Sequence, residues 1–229
     1  TFDNTNPTLT LVTIASNNGT GSNLAIPGNT LTLQFTSDTQ IQTPTVTIAG
    51  RVPDALTAVG NAHTATLQLT EDDDDASDPI AFTVNYSDMA GNAGVEVDET
   101  GTTDGTFVNF DKTKPQLDKV YIRSMSSSSI DLTGDNPGLD SAYISPDETI
   151  SLRFRSNEAL SSLDIYINGV RGRFPPVDGD GVTVTKIQAY NAGYEKWRAT
   201  YVITNSTDDN GGAGLVVPFT IDFVDENGY

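Results

Sequence analysis

The sequence predicts an all-β protein built from two consecutive sandwiches, and three observations lead to this prediction. Apolar residues alternate with Thr, Gln and Asn in short stretches such as residues 31–35 and 80–86, a period of two that is typical of half-buried strands. Gly and Pro separate these stretches, and no segment has a convincing helical period. The phrase FDNTNPTL at residues 2–9 returns almost unchanged as FDKTKPQL at residues 110–117.

The two copies of this phrase stand about as far apart as the roughly 100 residues that one immunoglobulin-like sandwich occupies. We therefore predict two tandem immunoglobulin-like β-sandwich domains, residues 1–110 and residues 111–229. Later segments repeat in the same order, with longer loops in the second copy. The repeated segments are 31–41 with 150–160, 46–51 with 165–171, 63–70 with 197–204, and 80–92 with 217–229.

The strands of the first domain follow from the alternation. It predicts strands over residues 8–14, 31–35, 45–48, 64–69 and 80–86. Because successive side chains of a strand point to opposite faces, every second residue of these strands faces the core. The residues expected to face the core in two of them are Leu31, Leu33, Phe35, Ile80, Phe82, Val84 and Tyr86.

The end of the second domain differs from the end of the first. In the first domain the chain continues after residue 92 to a predicted last strand near residues 106–110. In the second domain the equivalent segment is residues 217–229, and no counterpart of that last strand follows it in the sequence. The second sandwich is therefore expected to lack its last strand. Either the sequence is part of a longer array of repeats, or a strand from another molecule completes the sandwich, because an unpaired sheet edge is a template for pairing.

Composition excludes several classes of function. The chain has no cysteine, so it has neither a disulfide framework nor a thiolate metal site. A formal net charge of −19 disfavours nucleic acid and anionic lipid as partners. No apolar run approaches the roughly 20 residues of a membrane span, so no direct membrane insertion is expected. The absence of a signal peptide before Thr1 is expected of a mature product or a segment of a longer protein.

Two motifs resemble those of a known family. The D-x-T-x-P motif occupies Asp3, Thr5 and Pro7, and D-x-A-G-N ends the stretch YSDMAGN at residues 86–92; the stretch DGTFVNFDKTKP follows at residues 104–115. In this order they resemble the bacterial Ig-like repeats of large surface adhesins. The resemblance implies a non-catalytic extender at the cell surface or outside the cell. It also implies neighbouring Ig-like repeats as partners, a surface glycan or protein as the ligand of the parent protein, and calcium that stiffens the junctions.

Carboxylates near the predicted junction are candidate calcium ligands. Calcium takes six to eight oxygens from carboxylates, amides and carbonyls, and we expect Asp88 and Asp111 to converge at the pole of the first sandwich that adjoins the second. The resemblance gives these two residues the ligand role, and we extend it to Asn92, Asp147 and Glu148. The alternative is that Asp88 and Asp111 only cap turns.

The remaining polar clusters carry less information. The acidic runs at residues 71–78 and 205–212 are interpreted as solvated loops, with calcium as the alternative. The one histidine, His63, is expected at the sandwich surface. One imidazole cannot form a histidine-rich metal site, and it gives little support for catalysis. We therefore predict that the protein is not an enzyme.

Two other functions remain open at this point. One is a filament subunit that assembles by strand exchange between sandwiches. The other is a carbohydrate-binding module that uses exposed aromatic rings of the second domain, against the simpler interpretation that Trp197 begins a core strand and the tyrosines cover it. The rings in question are Phe174, Tyr190, Tyr194 and Trp197.

Overall fold

The computed structural model describes residues 3–73, 79–125, 147–191, 194–203 and 217–229. The chain divides into two compact units, which are called unit 1 (Thr1–Thr113 with Gly228) and unit 2 (Lys114–Asn227 with Tyr229). Strands dominate both, and the helical structure in the described ranges is one 3-10 turn, Glu99–Gly101. Among these residues no helix is long and apolar enough to cross a membrane. The predicted all-β class is confirmed.

Unit 1 contains two antiparallel sheets and a short parallel pair. The first sheet has the order β1-β3-β6-β5, the second has the order β4-β7-β8, and β2 pairs with β9. The predicted last strand is shorter than expected and is β9. The strands are β1 Leu9–Ser16, β2 Leu24–Ala25, β3 Thr30–Ser37, β4 Thr45–Ile48, β5 Ala55–Val59, β6 Ala62–Gln68, β7 Phe82–Asn85, β8 Val97–Asp98 and β9 Asn109–Phe110.

Unit 2 repeats this plan. Its sheets have the orders β10-β11-β15-β14 and β13-β12-β16, so β10, β11, β15 and β14 take the places of β1, β3, β6 and β5. Strands β12 and β16 correspond in the same way to β4 and β7. The strands are β10 Leu117–Ser124, β11 Thr149–Ser156, β12 Leu160–Ile167, β13 Val170–Phe174, β14 Val182–Asn191, β15 Tyr194–Val202 and β16 Phe219–Asp225.

Each unit has its own core, filled by alternate residues of its strands. In β3 the inward residues Leu31, Leu33 and Phe35 are buried, while Thr32 and Thr36 are only half-buried and Gln34 is exposed between them. The four inward residues predicted at positions 80–86 are buried as well. In unit 2 the largest fully buried side chain is Trp197, which stacks on Phe154. The predicted inward faces are confirmed.

The structural division falls a few residues after the predicted boundary at residues 110 and 111. The backbone N–H of Asp111 donates to the carbonyl of Ala25 at 2.9 Å. Lys112 Nζ then donates to the carbonyl of Asp73 at 2.7 Å. These two hydrogen bonds hold the start of the second phrase to unit 1.

The repeated phrase forms the same turn in both places. Asp3 Oδ1 accepts a hydrogen bond from the N–H of Thr5, and Asp111 Oδ1 accepts one from the N–H of Thr113, as Asp does in tight turns. A few residues later the N–H of Thr8 donates to Asp38 Oδ1 and that of Gln116 to Asn157 Oδ1. We call the end of a unit where β1 or β10 begins its N-terminal pole, and the other end its opposite pole.

Candidate metal centre

Asp88 and Asp111 lie at different ends of unit 1. Asp88 bridges to Ile41 at the N-terminal pole, where Asn92 Nδ2 donates to the carbonyl of Asp3 at 3.2 Å. Asp111 follows β9 at the opposite pole, beside Ala25. The eight residues of β1 separate the poles by about 26 Å at roughly 3.3 Å per residue. The expected convergence of Asp88 and Asp111 is therefore wrong, because β7 and β9 run toward opposite poles.

The carboxylate of Asp88 already has a donor for each oxygen. Oδ1 accepts from the N–H of Asn92 and Oδ2 from Asn92 Nδ2, both at 2.8 Å. The hydrogen bond from the Asn92 side chain is the main reason why the pKa of Asp88 is below its ordinary value. Asp88 and Asn92 are therefore brought together as a turn and its cap, and a cation would have to displace the amide.

Asp147 and Glu148 lie at the pole of unit 2 that is remote from its N-terminal pole. They precede β11, which runs from there toward the N-terminal pole. The N–H of Asp147 donates to the carbonyl of Ile203, and the N–H of Ile203 donates to the carbonyl of Glu148. Their backbone groups thus extend the pairing of β11 with β15. The two residues are at the other end of unit 2 from the segment where the chain enters it.

Asp225 is the residue of unit 2 that corresponds to Asp88, and only one of its two carboxylate oxygens has hydrogen-bond partners among the described residues. Oδ1 accepts from the N–H groups of Asn227 and Tyr229, at 2.8 and 2.9 Å. Oδ2 is buried and has no hydrogen-bond partner among the residues that the structure describes, and Asp225 is only 2% exposed. A buried, unpaired carboxylate oxygen is costly unless a cation or donor meets it.

Glu158 brings a second carboxylate close to that of Asp225. It lies in the turn between β11 and β12 and is half-buried, and a carboxylate oxygen of Glu158 lies within 4.8 Å of one of Asp225. Two carboxylates this close repel each other, and a cation between them removes the repulsion. Ser161 Oγ donates to the carbonyl of Asp225 and holds the turn in place. The donor set is all oxygen, which suits a hard cation such as calcium.

One substitution between the repeats explains the difference. Asn92 of the first turn is replaced by Tyr229 in the second, and a tyrosine has no amide to donate to the second carboxylate oxygen. The sequence retains Asp225 at the place of Asp88, but Asp225 was not among the predicted ligands. Glu158 was not predicted as a ligand either. The available signal was the position of Glu158 in a turn, beside Asp225, the Asp that both repeats share.

The acidic run at residues 71–78 is only in part described, and its residues 74–78 lie outside the described ranges, as does the run at 205–212. Asp73 is buried, and Arg51 Nη1 lies 2.7 Å from each of its oxygens. Burial disfavours the charged form of Asp73, but hydrogen bonds from Arg51 and Thr70 outweigh it and hold the pKa of Asp73 below its ordinary value. Asp73 is therefore the partner of an arginine, which leaves its charge compensated.

His63 and Trp197 occupy equivalent places, and both are buried. His63 stacks on Phe35 with ring centroids 5.1 Å apart, so the expected surface position is wrong. Trp197 is fully buried, and its Nε1 donates to Glu195 Oε2 at 3.1 Å. It therefore belongs to the core and offers no exposed platform for a sugar. The side chain of Tyr190, named with it, lies outside the described residues.

Comparisons with known proteins add little to this site. No protein-family model and no curated protein matches the chain. A solved structure titled "Crystal Structure of Rst D1-D2" aligns over 96% of this chain and 99% of its own, with 11% sequence identity and a TM-score of 0.36. The protein is thus a tandem β-domain chain on the basis of its own strands.

Proposed function

We propose that this chain is a non-catalytic spacer of an exported bacterial surface protein, an adhesin or fibre, and that calcium stiffens the junction between its repeats. The proposal places the protein at the cell surface or outside the cell, with neighbouring Ig-like repeats as its partners. The observation that carries the calcium part is the buried, unpaired Asp225 Oδ2 beside Glu158. The spacer part rests on the tandem organisation and on the repeated D-x-T-x-P and D-x-A-G-N phrases.

The repeat itself adds a third candidate ligand. In unit 1 the turn that follows Asp88 is tied by Asn92 to the backbone of Asp3, the first residue of D-x-T-x-P. Asp111 is the first residue of the second copy of that motif. Asp111 is thus the sequence counterpart of Asp3, as Asp225 is of Asp88, and we include Asp111 as a proposed ligand. A cation bound by the connecting segment and by the second sandwich removes freedom from the segment, which is how a spacer gains stiffness.

Thermal unfolding in calcium and in chelator tests the proposal. A ligand present at 100 times its Kd stabilises the folded state by about 2.7 kcal/mol, which corresponds to roughly 10 °C for a domain of this size. We expect this rise for the wild-type chain and its loss in Asp225→Asn and Glu158→Gln. Asp88→Asn is the matched control, because it changes the equivalent carboxylate of unit 1 and is expected to leave the calcium response intact.

Small-angle scattering of the same samples tests the stiffening. Calcium is expected to lengthen the particle and narrow its distance distribution, and Asp111→Ala is expected to remove this change. A calcium response that survives Asp225→Asn would contradict the site. A response at the site without any change in scattering would retain the site and reject the mechanical role.

A second candidate function follows from the outer edge of β16. In unit 1, β7 pairs with β4 on one side and β8 on the other, and Phe82, Val84 and Tyr86 are buried. Within the described ranges β16 pairs only with β12. The three equivalent residues of β16, which are Phe219, Ile221 and Phe223, are only half-buried. An edge strand with an apolar inner row accepts a further strand, as a subunit of a strand-exchange filament does.

A peptide with the sequence of residues 93–110, which follows β7 in unit 1, probes this edge. If β16 accepts strands, the peptide is expected to slow hydrogen exchange at residues 219–225 and to reduce any self-association seen by light scattering. A scrambled peptide of the same composition is the control. Equal exchange rates with both peptides, in a chain that stays monomeric at high concentration, would reject strand acceptance and leave the spacer proposal unaffected.

A further inference from the structure

The outer face of the β10-β11-β15-β14 sheet in unit 2 concentrates positive charge. The chain has 12 Lys and Arg residues and a net charge of −19, yet half of its cationic residues lie on the strands of this sheet at outward positions. They alternate with buried residues such as Phe154 and Trp197, which fixes their direction. We call this set the basic face, and its members are Lys119, Arg123, Arg153, Arg155, Lys196 and Arg198.

The arrangement of cations on the basic face destabilises its own sheet. Arg153 stands directly opposite Arg198, and Arg155 directly opposite Lys196. Like charges opposite each other destabilise a sheet. Arg155 is compensated by an ion pair with Asp118. In contrast, Arg153 Nε and Arg198 Nε are buried and have no hydrogen-bond acceptor in the part of the chain that the structure describes.

The fold does not require these cations, because unit 1 forms the same sheet without them. In β3 and β6, Gln34 is opposite Thr64 and Thr36 is opposite Ala62. These four residues occupy the places of Arg153, Arg198, Arg155 and Lys196. Two sheets of equal strand order therefore differ in charge at these four outward positions. A cost that only one copy carries points to a ligand for that copy.

Two irregularities open a cleft in the basic face. The register of β10 shifts between Asp118 and Tyr121, where Lys119 has a positive φ of 52°, and the register of β14 shifts around Ile187. Such bulges re-aim side chains and are frequent beside binding sites. The cleft has a volume of about 470 Å³ and is lined by Lys119, Tyr121, Arg153, Arg155, Ile187 and Lys196, with the core strands as its floor.

Aromatic rings accompany the cations. The guanidinium of Arg155 lies 4.6 Å from the ring centre of Tyr194, and Lys196 Nζ lies 5.3 Å from the same centre. Tyr121 lines the cleft directly opposite Arg153. The cleft thus combines the guanidinium of Arg153, a group that binds carboxylates and sulfates in a planar, two-bond geometry, with the ring of Tyr121, which offers an apolar face to a sugar.

We propose that this cleft binds an anionic oligosaccharide, one that carries uronate or sulfate groups. The volume lies in the range of small-molecule sites and accommodates one or two sugar rings. The rest of the chain is strongly acidic, and screening limits electrostatic attraction to about 8 Å at physiological salt. A short acidic sugar seated in the cleft meets mainly the basic face, whereas a long polyanion such as nucleic acid also meets the surrounding acidic surface. This proposal is independent of the calcium site.

Calorimetric titration of the full chain tests the proposal. The probes are a trigalacturonate, a sulfated disaccharide, a neutral galactose trimer and a single-stranded DNA oligonucleotide long enough to extend beyond the cleft. We expect binding of at least one acidic sugar, none of the neutral trimer, and weaker affinity as the NaCl concentration rises. The two acidic sugars distinguish a carboxylate from a sulfate ligand.

Variants built from unit 1 locate the site. Arg153→Gln and Lys196→Ala each introduce the residue that the equivalent sheet of unit 1 already carries, so the fold is expected to tolerate them. Together they should weaken acidic-sugar binding by at least about tenfold, the loss expected when charge-assisted hydrogen bonds are removed. Arg171→Gln combined with Arg173→Gln is the charge-matched control, because both arginines lie on β13 and pair with Asp164 and Asp180, and it should leave binding unchanged.

Three results would overturn the proposal. The first is no binding of either acidic sugar at millimolar concentration. The second is equal binding of the DNA oligonucleotide, which would assign the basic face to polyanions in general. The third is a loss of affinity in the β13 double control as large as in the cleft double variant, which would mean that only net charge matters.

Discussion

Unit 1 and unit 2 have the same strand order and the same inward pattern, and they differ in where they place charge. The outer face of the β1-β3-β6-β5 sheet is made of Thr, Gln and Ala at the positions where unit 2 has Arg and Lys. Asp88 is closed by Asn92, while the equivalent Asp225 keeps one oxygen open. The shared inward pattern therefore maintains the sandwich in both units, and the turns and outer faces are available for function.

The largest expected effect is in the core of unit 2, where Trp197 stacks on Phe154 while its counterpart His63 stacks on Phe35 in unit 1. Trp197→Ala removes a fully buried ring and the donor to Glu195 Oε2, and such changes cost about 3–5 kcal/mol. We expect hydrogen exchange to accelerate across β11, β12 and β15. Hydrogen exchange of peptides from unit 1, measured in the same experiment, shows whether the substitution also affects unit 1. Exchange that accelerates equally in β3 and β6 would show that the two cores unfold as one.

The next largest effect is the response to acid. The carboxylates with pKa values below the ordinary 3.8 include five in unit 1 and two in unit 2 among the described residues, so unit 1 has more stability to lose. A lowered folded pKa contributes stability that is complete above the unfolded value and disappears as the pH falls through the folded value. The carboxylates are Asp38, Asp73, Asp88, Asp98 and Asp104 in unit 1, and Asp118 and Asp180 in unit 2.

We therefore expect unit 1 to unfold first as the pH falls below about 4, the range in which these carboxylates take up protons. Hydrogen exchange followed by mass spectrometry as a function of pH measures this directly, since it reports β3 and β11 separately. Earlier loss of protection in β11 than in β3 would contradict the expectation.

A smaller effect sharpens the contrast between the two Asp turns. Tyr229→Asn introduces the residue that unit 1 has at the equivalent position, Asn92. The new side-chain amide is expected to donate to Asp225 Oδ2. This hydrogen bond is worth about 1 kcal/mol, so calcium affinity should fall about fivefold. Tyr229→Phe is the control, because it keeps the ring that lies 4.7 Å from Lys114 Nζ. Unchanged calcium affinity in Tyr229→Asn would separate the open oxygen from metal binding.

The smallest effect concerns His63, which has no titrating counterpart at Trp197. Burial lowers the pKa of His63 below the ordinary 6.5, so the folded state holds the imidazole neutral. Stability of unit 1 is then complete above pH 6.5 and declines as the pH falls toward the folded value. Melting of the wild type and of His63→Gln between pH 7 and pH 5 measures this. An identical pH slope in both proteins would assign the decline to other groups.

The strands and their inward faces were predictable because alternation is local. Leu31, Leu33 and Phe35 alternate with polar residues over five positions, and the structure buries all three. The metal residues were harder to predict because a ligand set depends on which strand ends share a pole. Asp88 and Asp111 both follow strands, but β7 and β9 end at opposite poles of unit 1. Nothing local to either sequence stretch encodes that direction.

The all-β class, the tandem repeat and the inward faces could be predicted from the amino-acid order, because these depend on side-chain period and on phrases that recur within the chain. The folded chain was needed to show that Glu158 lies close to Asp225, that Trp197 is core, and that the basic residues share one outer face. These properties depend on cross-strand register and strand direction. Both arise from pairing between residues far apart in the chain, and a single stretch of sequence does not contain them.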